Sequence, residues 1–333
     1  MTRNTTMSEF VPDISVVLPA FNEAGNIAPM AAALDALLPP LGRYEIVFVD
    51  DGSSDGTLNA IRAAAAANPH VRYISFTRNF GHQDALRAGL KHARGRAVIV
   101  MDADFEHPPE LIPELVAAWR AGTKVVATRR EDGEADLPPL KSVTSRLYYR
   151  LLDSIGDVRI EPGSSDYMLL DRSVVDTLNG FADQDVFLRG AVRWFGYPTH
   201  TVTFSRGART YGESKYTLRR MVDLAVTGIA AHSVRPLRLA IWMALAFAAV
   251  GLLLLVYSVA SYLLVSQTVT GWTSIISTIA LLGAAQLLVL GIIGEYVGRT
   301  LREARGRPTY IVAETEADQT PAREVIGFRR PAE

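Results

Sequence analysis

Between residues 239 and 294 the chain carries no Asp, Glu, Lys or Arg, an uncharged run of 56 in a sequence of 333. No solvated surface looks like this. The 69 charged residues all fall in the remaining 277, where they make up 25%, an ordinary fraction for a water-soluble domain. The sequence therefore reads as a soluble part joined to a membrane part.

Within the uncharged run, residues 239–265 would form about 40 Å of helix, enough to cross a bilayer with tilt. A short polar break at 266–271 is followed by a second expected span, 272–294, with Trp272 placed at the interface. A buried hairpin in a soluble core is the alternative, but such cores rarely need two charge-free helices this long. Arg219, Arg220, Arg235 and Arg238 precede the pair, and Arg299, Arg302, Arg305 and Arg307 follow it. The intervening loop has no basic residue, so both long ends are expected in the cytoplasm, and the protein in the cell membrane as a multi-pass chain. Residues 214–235 mix Met221, Val222, Leu224 and Ile229 with Arg219, Arg220 and Asp223. They read either as an amphipathic juxtamembrane helix or as a helix docked on the soluble part.

Residues 1–12 are expected to be disordered, and the first ten lack the apolar core of a signal peptide. A basic juxtamembrane segment and a polar C-terminal tail, poorly ordered from Glu314, are expected over 298–333. The net charge of −1 argues against a nucleic-acid partner. Zero cysteines exclude disulfides, iron–sulfur clusters and cysteine zinc sites.

In residues 13–213 short β-rich runs (14–18, 45–49, 71–76, 97–101, 124–127) alternate with helical patterns (27–38, 57–66, 83–93, 109–120). This alternation predicts an α/β domain with a mostly parallel sheet. Ligands of such sheets bind beyond the carboxyl ends of the strands. Here those ends read Pro19-Ala20-Phe21-Asn22-Glu23, Asp50-Asp51-Gly52-Ser53, Arg78-Asn79-Phe80-Gly81-His82 and Asp102-Ala103-Asp104-Phe105-Glu106-His107. Asp55 reads as a helix cap. Asp102 and Asp104, taken as alternating on a strand terminus, would project to one side and need a cation between them. Hard oxygen ligands suit Mg²⁺ or Mn²⁺, with Glu106 as a third carboxylate. No G-x-G-x-x-G or Walker A motif is present, and the six histidines show no paired metal spacing.

The first, second and fourth of these strand ends resemble glycosyltransferase family 2, with its GT-A (Rossmann-like) fold, and the third, Arg78-Asn79-Phe80-Gly81, resembles one branch of it. Further segments resemble its polyprenyl-phosphate glycosyltransferase branch, which includes dolichol-phosphate mannose synthase-like and bactoprenol glucosyltransferase-like enzymes. They are residues 166–172, residues 209–216 (Arg-Thr-Tyr-Gly-Glu-Ser-Lys-Tyr), residues 295–299 and the ending Arg307-Pro308-Thr309-Tyr310-Ile311-Val312. The resemblance implies transfer of one sugar, with inversion, from a UDP-glucose-like or GDP-mannose-like donor to a polyprenyl (undecaprenyl- or dolichyl-type) phosphate at the bilayer. It implies donor binding by Pro19, Phe21, Glu23, Asp50, Asp51, Asn79, Asp102, Ala103 and Asp104. It implies an acceptor-phosphate site of Arg206, Arg209, Ser214, Lys215 and Arg189, with Asp104, Asp166, Arg209 and Lys215 as catalytic residues. Relatives often carry Gln where this chain has Glu106. Homo-oligomers and a flippase partner remain open expectations. A processive polysaccharide synthase and a non-catalytic membrane scaffold are the competing readings; the first usually needs more spans than two.

Overall fold

The computed structural model describes residues 11–130, 163–181, 187–204, 271–316 and parts of 240–260. The chain divides into two units, one comprising residues 1–149, 160–216 and 306–333, the other residues 150–159 and 217–305.

The first unit is built on strands β1 (Ile14–Ala20), β2 (Tyr44–Asp50), β3 (Val71–Phe76), β4 (Ala97–Val100), β5 (Val125–Arg130), β6 (Ser164–Asp171), β7 (Thr199–Phe204) and β8 (Val312–Thr315). They form one sheet in the order β7-β5-β6-β4-β1-β2-β3-β8. β1 lies parallel to β2 and β4, β2 to β3, and β5 to β7; β6 runs antiparallel to β4 and β5, and β8 antiparallel to β3. Every residue of β1 and β2 is buried, because helices cover both faces. Side chains such as Phe48 and Ile14 are fully buried there, each worth about 1.5–3 kcal/mol against exposure.

Four helices connect the first five strands: α1 (Ala24–Leu37), α2 (Thr57–Ala67), α3 (His82–His92) and α4 (Ile112–Arg120), the last preceded by a 3₁₀ turn at Pro109–Leu111. They fall where the apolar spacing predicts, within three residues at each end. α3 presses closest to the sheet at Gly89, where an added Cβ would sit 2.1 Å from Val17 Cγ1. Two further helices, α5 (Arg172–Asn179) and α6 (Leu188–Trp194), follow β6. α5 is capped by Asp171, whose carboxylate accepts from the Ser173 amide at 3.0 Å.

β8 corrects the start of the expected loose tail, at Glu314–Glu316; residues 317–333 lie outside the described residues. Glu314 takes both Nε and Nη2 of Arg62, at 2.8 and 2.7 Å, and Glu316 takes Arg72 Nε at 2.6 Å. Glu314, in the strand, and Glu316, just after it, thus both meet arginine partners.

The second unit includes α7 (Ala244–Leu253), inside the first expected span, and α8 (Trp272–Ala304), a 33-residue helix. Within α8 the window Leu281–Gly298 is long and apolar enough to cross a membrane, and none of it is buried. The expected second span, 272–294, thus lies inside a longer helix that continues past it through Arg299 and Arg302 and ends at Ala304. The first expected span, 239–265, is described only in part, and the expected helix at 214–235 lies outside the described residues.

Candidate active site

The strand order places β2 and β3 on one side of β1 and β4 on the other, so the order reverses between β1 and β4. In open α/β sheets this reversal splays the loops at the carboxyl ends and leaves a crevice. The loop after β1 and the acidic turn after β4 flank that crevice.

The loops after β1 and β2 are stitched together. Asn22, in the left-handed region at φ 58°, donates its amide to Ser53 Oγ at 3.0 Å and accepts the Ser54 amide on its side chain at 2.9 Å. Thr57 Oγ1 accepts the Glu23 amide at 2.8 Å. Glu23 also accepts from Asn26 Nδ2 at 2.5 Å. Asp55 accepts the Thr57 amide at 2.9 Å, the capping role its sequence position suggests. Pro19 is buried, whereas Phe21 remains 45% exposed and presents an aromatic face beside these loops.

Asp50 and Asp51 are both buried and are answered by donors. Asp50 accepts from Ser75 Oγ at 2.8 Å and from the Ser53 amide at 3.2 Å. Asp51 accepts the Phe80 amide at 2.7 Å and the Gly81 amide at 3.0 Å, so the loop after β3 folds around its carboxylate. Burial pushes the Asp51 carboxyl up; the two amides oppose that shift. Gly52, at φ +64°, makes this approach feasible, since an added Cβ would lie 2.2 Å from the Arg78 carbonyl carbon. Asn79 is exposed.

After β4 the surroundings change. The strand ends at Val100, so Asp102, Ala103 and Asp104 lie in a turn beyond it, with Phe105 at φ 64°. Strand alternation therefore does not set the direction of the two carboxylates, contrary to the expectation. Asp104 accepts the Glu106 amide at 3.0 Å. Burial pushes its carboxyl up, and the charges of Asp102 and Glu106 push the same way. Glu106 faces Arg130, whose Nη2 lies 3.4 Å from Oε2. Among the described residues no three His, Asp or Glu side chains form a cluster that could hold a metal ion by themselves. Asp102 and Asp104 remain a hard-oxygen pair of the kind that shares a cation with substrate phosphates.

The turn is pinned by His107. Its Nδ1 accepts the Asp102 amide at 2.9 Å, which leaves Nε2–H to donate to Ser165 Oγ at 2.7 Å. Burial lowers its pKa, in keeping with a neutral ring, and the ring stacks on Tyr167 at 5.1 Å.

Asp166, on β6, faces the same turn. Arg189 of α6 donates to it through Nε at 2.6 Å and Nη2 at 3.0 Å, and its Nη1 binds the Ser164 carbonyl at 2.7 Å. His82, the first residue of α3, places Nε2 3.7 Å from Asp166 and 3.7 Å from Asp102. Burial alone would raise the Asp166 carboxyl, but His82 and Arg189 hold it well below the usual carboxylate range. Burial alone would lower His82; the two carboxylates outweigh it and push the ring up. Gln83 Oε1 accepts the Leu188 amide at 3.1 Å, tying α3 to α6.

The structure thus gathers Asp102, Asp104, Glu106, Asp166 and Arg189 around the end of β4, with Asp50 and Asp51 at the end of β2, on the other side of β1. The guanidinium of Arg189, expected on the acceptor phosphate, is bound to Asp166. Arg206, Arg209, Ser214 and Lys215 lie outside the described residues. His82 and Arg130 were missed from the sequence. His82 follows directly on the Arg78–Gly81 motif and opens a helix at the carboxyl edge, a position that offered a signal.

Residues 15–178 match glycosyl transferase family 2, and residues 235–300 match the GtrB C-terminal hairpin. An uncharacterized glycosyltransferase of Bacillus subtilis (strain 168) is 37% identical over 299 residues, covering 90% of this chain and 92% of that protein. A prophage bactoprenol glucosyl transferase homolog of Escherichia coli (strain K12) is 36% identical over 301 residues, covering 90% and 98%. Among solved structures, mannosyl-3-phosphoglycerate synthase from Rubrobacter xylanophilus has a TM-score of 0.45 and 17% identity, over 66% of this chain and 72% of that one.

Proposed function

Because the chain belongs to glycosyl transferase family 2 and is a glycosyltransferase with a GT-A-like sheet, we propose that it moves a single sugar from a nucleotide sugar to a polyprenyl phosphate at the cytoplasmic face of a membrane. The carrying observation is the acid pair Asp102/Asp104 at the β1/β4 reversal, beside the stitched loops after β1 and β2. The acceptor follows from relatives named bactoprenol glucosyl transferase that match nearly the whole chain.

In this reading residues 13–213 form the catalytic domain and 236–297 the membrane hairpin, with both ends of the chain in the cytoplasm. Pro19, Phe21, Glu23, Asp50, Asp51 and Asn79 take the nucleoside part of the donor, and Asp102, Ala103 and Asp104 face its diphosphate. Mg²⁺ or Mn²⁺ bound by Asp102 and Asp104 supplies Lewis-acid stabilisation of the departing diphosphate. Asp104 suits that task because burial and the neighbouring carboxylates Asp102 and Glu106 raise its carboxyl, a shift that a bound cation would oppose. Glu106, turned toward Arg130, contributes shape and charge to the turn.

A phosphate monoester acceptor is largely dianionic at neutral pH, with a second pKa near 6, so the nucleophile needs little proton removal. Asp166, held ionised by Arg189 and His82, is a weak base and serves to fix those two residues. Arg206, Arg209, Ser214 and Lys215 hold the acceptor phosphate next to the membrane. One nucleophilic displacement at the anomeric carbon inverts its configuration.

The test offers purified full-length protein a panel of UDP- and GDP-sugars with polyprenyl phosphate and Mg²⁺ or Mn²⁺, and reads lipid products by mass spectrometry. A monoglycosylated lipid phosphate from one donor is expected, with no turnover in excess chelator. A long polymer would point to a processive synthase, and absence of donor binding to a scaffold. Lys215→Ala is expected to raise the acceptor KM more than the donor KM; an equal effect removes Lys215 from the acceptor site.

A further inference from the structure

The loop that holds Asp51 leans on a part of the chain some 230 residues later. β8 pairs with β3 through Ile74–Thr315, Ser75–Glu314 and Phe76–Val312. Just before it, the Ile311 carbonyl accepts the Thr77 amide at 3.1 Å, at the root of the loop after β3. Tyr310 is buried and its ring stacks on Phe76, 4.9 Å between centroids and 16° from parallel. Phe76 in turn meets Phe80 edge-on at 5.7 Å, and the Arg78 guanidinium covers Phe80 at 3.9 Å. Phe80 and Gly81 supply the amides that bind Asp51. The path from Tyr310 to the Asp51 carboxylate is therefore two ring contacts and one hydrogen bond.

β8 itself is anchored away from the site, by Arg62 and Tyr73 on Glu314 and by Arg72 on Glu316. Arg72 also binds Glu45 of β2 at 2.8 Å. These contacts fix where the strand lies, and the stack on Phe76 carries that position to the loop. Stacked aromatic pairs contribute roughly 0.5–1.5 kcal/mol beyond burial, so losing one loosens the loop without unfolding the sheet.

We propose that Tyr310–Glu316, the segment following the long helix, completes the donor pocket, with Tyr310 a positioning residue for Asp51. This rests on the reading that Asp51 binds the donor. Its consequence is that donor affinity depends on chain that lies beyond the membrane segment in sequence, and not on the first 213 residues alone.

The test titrates UDP-glucose and GDP-mannose, each with Mn²⁺, into the full chain in detergent, and measures donor and acceptor KM with whichever is a substrate. Tyr310→Ala is expected to raise the donor Kd about tenfold, the scale of a weakened hydrogen bond to a charged group, with acceptor KM within about twofold. Tyr310→Phe keeps the stack and is expected to restore donor affinity. If Tyr310→Ala fails to fold, Tyr310→Leu, which keeps the burial without the stack, gives the same reading. Unchanged donor Kd in Tyr310→Ala and Tyr310→Leu, with a raised Kd in Asp51→Ala, overturns the inference and leaves the donor role of Asp51 standing. Unchanged Kd in Asp51→Ala overturns that role and the inference with it. Equal rises in donor and acceptor KM would mark Tyr310 as a general stabiliser and also overturn the inference.

Discussion

Two strand ends in the same sheet each present a pair of aspartates, and the protein treats them differently. At the end of β2, Asp50 and Asp51 are met by a serine hydroxyl and three backbone amides. At the turn after β4, Asp104 accepts the Glu106 amide, and burial, followed by the charges of Asp102 and Glu106, raises its pKa. Burial raises the carboxyl pKa of both Asp51 and Asp104; the Phe80 and Gly81 amides work against that shift at Asp51, whereas at Asp104 the charges of Asp102 and Glu106 add to it, an arrangement that a cation would relieve. Sequence spacing makes both look like acidic binding loops; only the donors around them tell the roles apart.

This contrast is sharpest in Asp104→Asn. Turnover is expected to fall by about a thousandfold or more, on the scale of losing a transition-state charge stabiliser. The metal-free protein should melt at the same temperature or higher, since a carboxyl whose pKa is raised by folding opposes the fold when ionised. A lower melting temperature with retained turnover would reverse the assignment. Asp51→Ala should behave in the opposite way, orphaning the Phe80 and Gly81 amides and costing about 1–3 kcal/mol of stability. Chemical denaturation checks it, and an unchanged midpoint would break the distinction between the pairs.

Asp166 gives a pH test of the same idea. Its carboxyl is depressed in the folded protein, so the unfolded chain takes up the proton first as the solution is acidified. Its contribution is thus complete above the ordinary carboxylate pKa of about 3.9 and is lost as pH falls toward the depressed value. Wild type should out-melt Asp166→Asn at pH 7, and the gap should close on acidification below about pH 4. A gap that widens in acid would contradict the Arg189 pairing. The smallest effect is expected for Glu106→Gln, which removes one like charge from Asp104 and the charged partner of Arg130. Activity should change by less than about tenfold, since Gln keeps the size and an acceptor for Arg130 Nη2, a hydrogen bond worth about 0.5–1.5 kcal/mol. A complete loss would restore Glu106 as a metal ligand.

The elements were legible where the signal is local. The run Val71–Phe76 forms β3 with the expected bounds, because a β-rich apolar run between polar residues reports burial on both faces. The acidic loops were legible as well, since their position after strands carries the information. His82 was not, because a lone histidine has no spacing to read and its partners lie 20 and 84 residues away. β8 escaped for the same reason: four residues with two acids inside or beside them resemble a solvated tail until Arg62 and Arg72 are seen opposite. Strand alternation does not apply to Asp102 and Asp104 because β4 stops at Val100, and the positive φ at Phe105 belongs to a turn no alternation rule describes.

α3 lies so close to Val17 of β1 at Gly89 that an added Cβ has no room there. Its far tip is His82, seven residues or about 10 Å away, next to the amides that grip Asp51. One methyl group at position 89 would tilt that tip out of place. The fidelity of the catalytic end is therefore set partly by a missing atom two helical turns behind it.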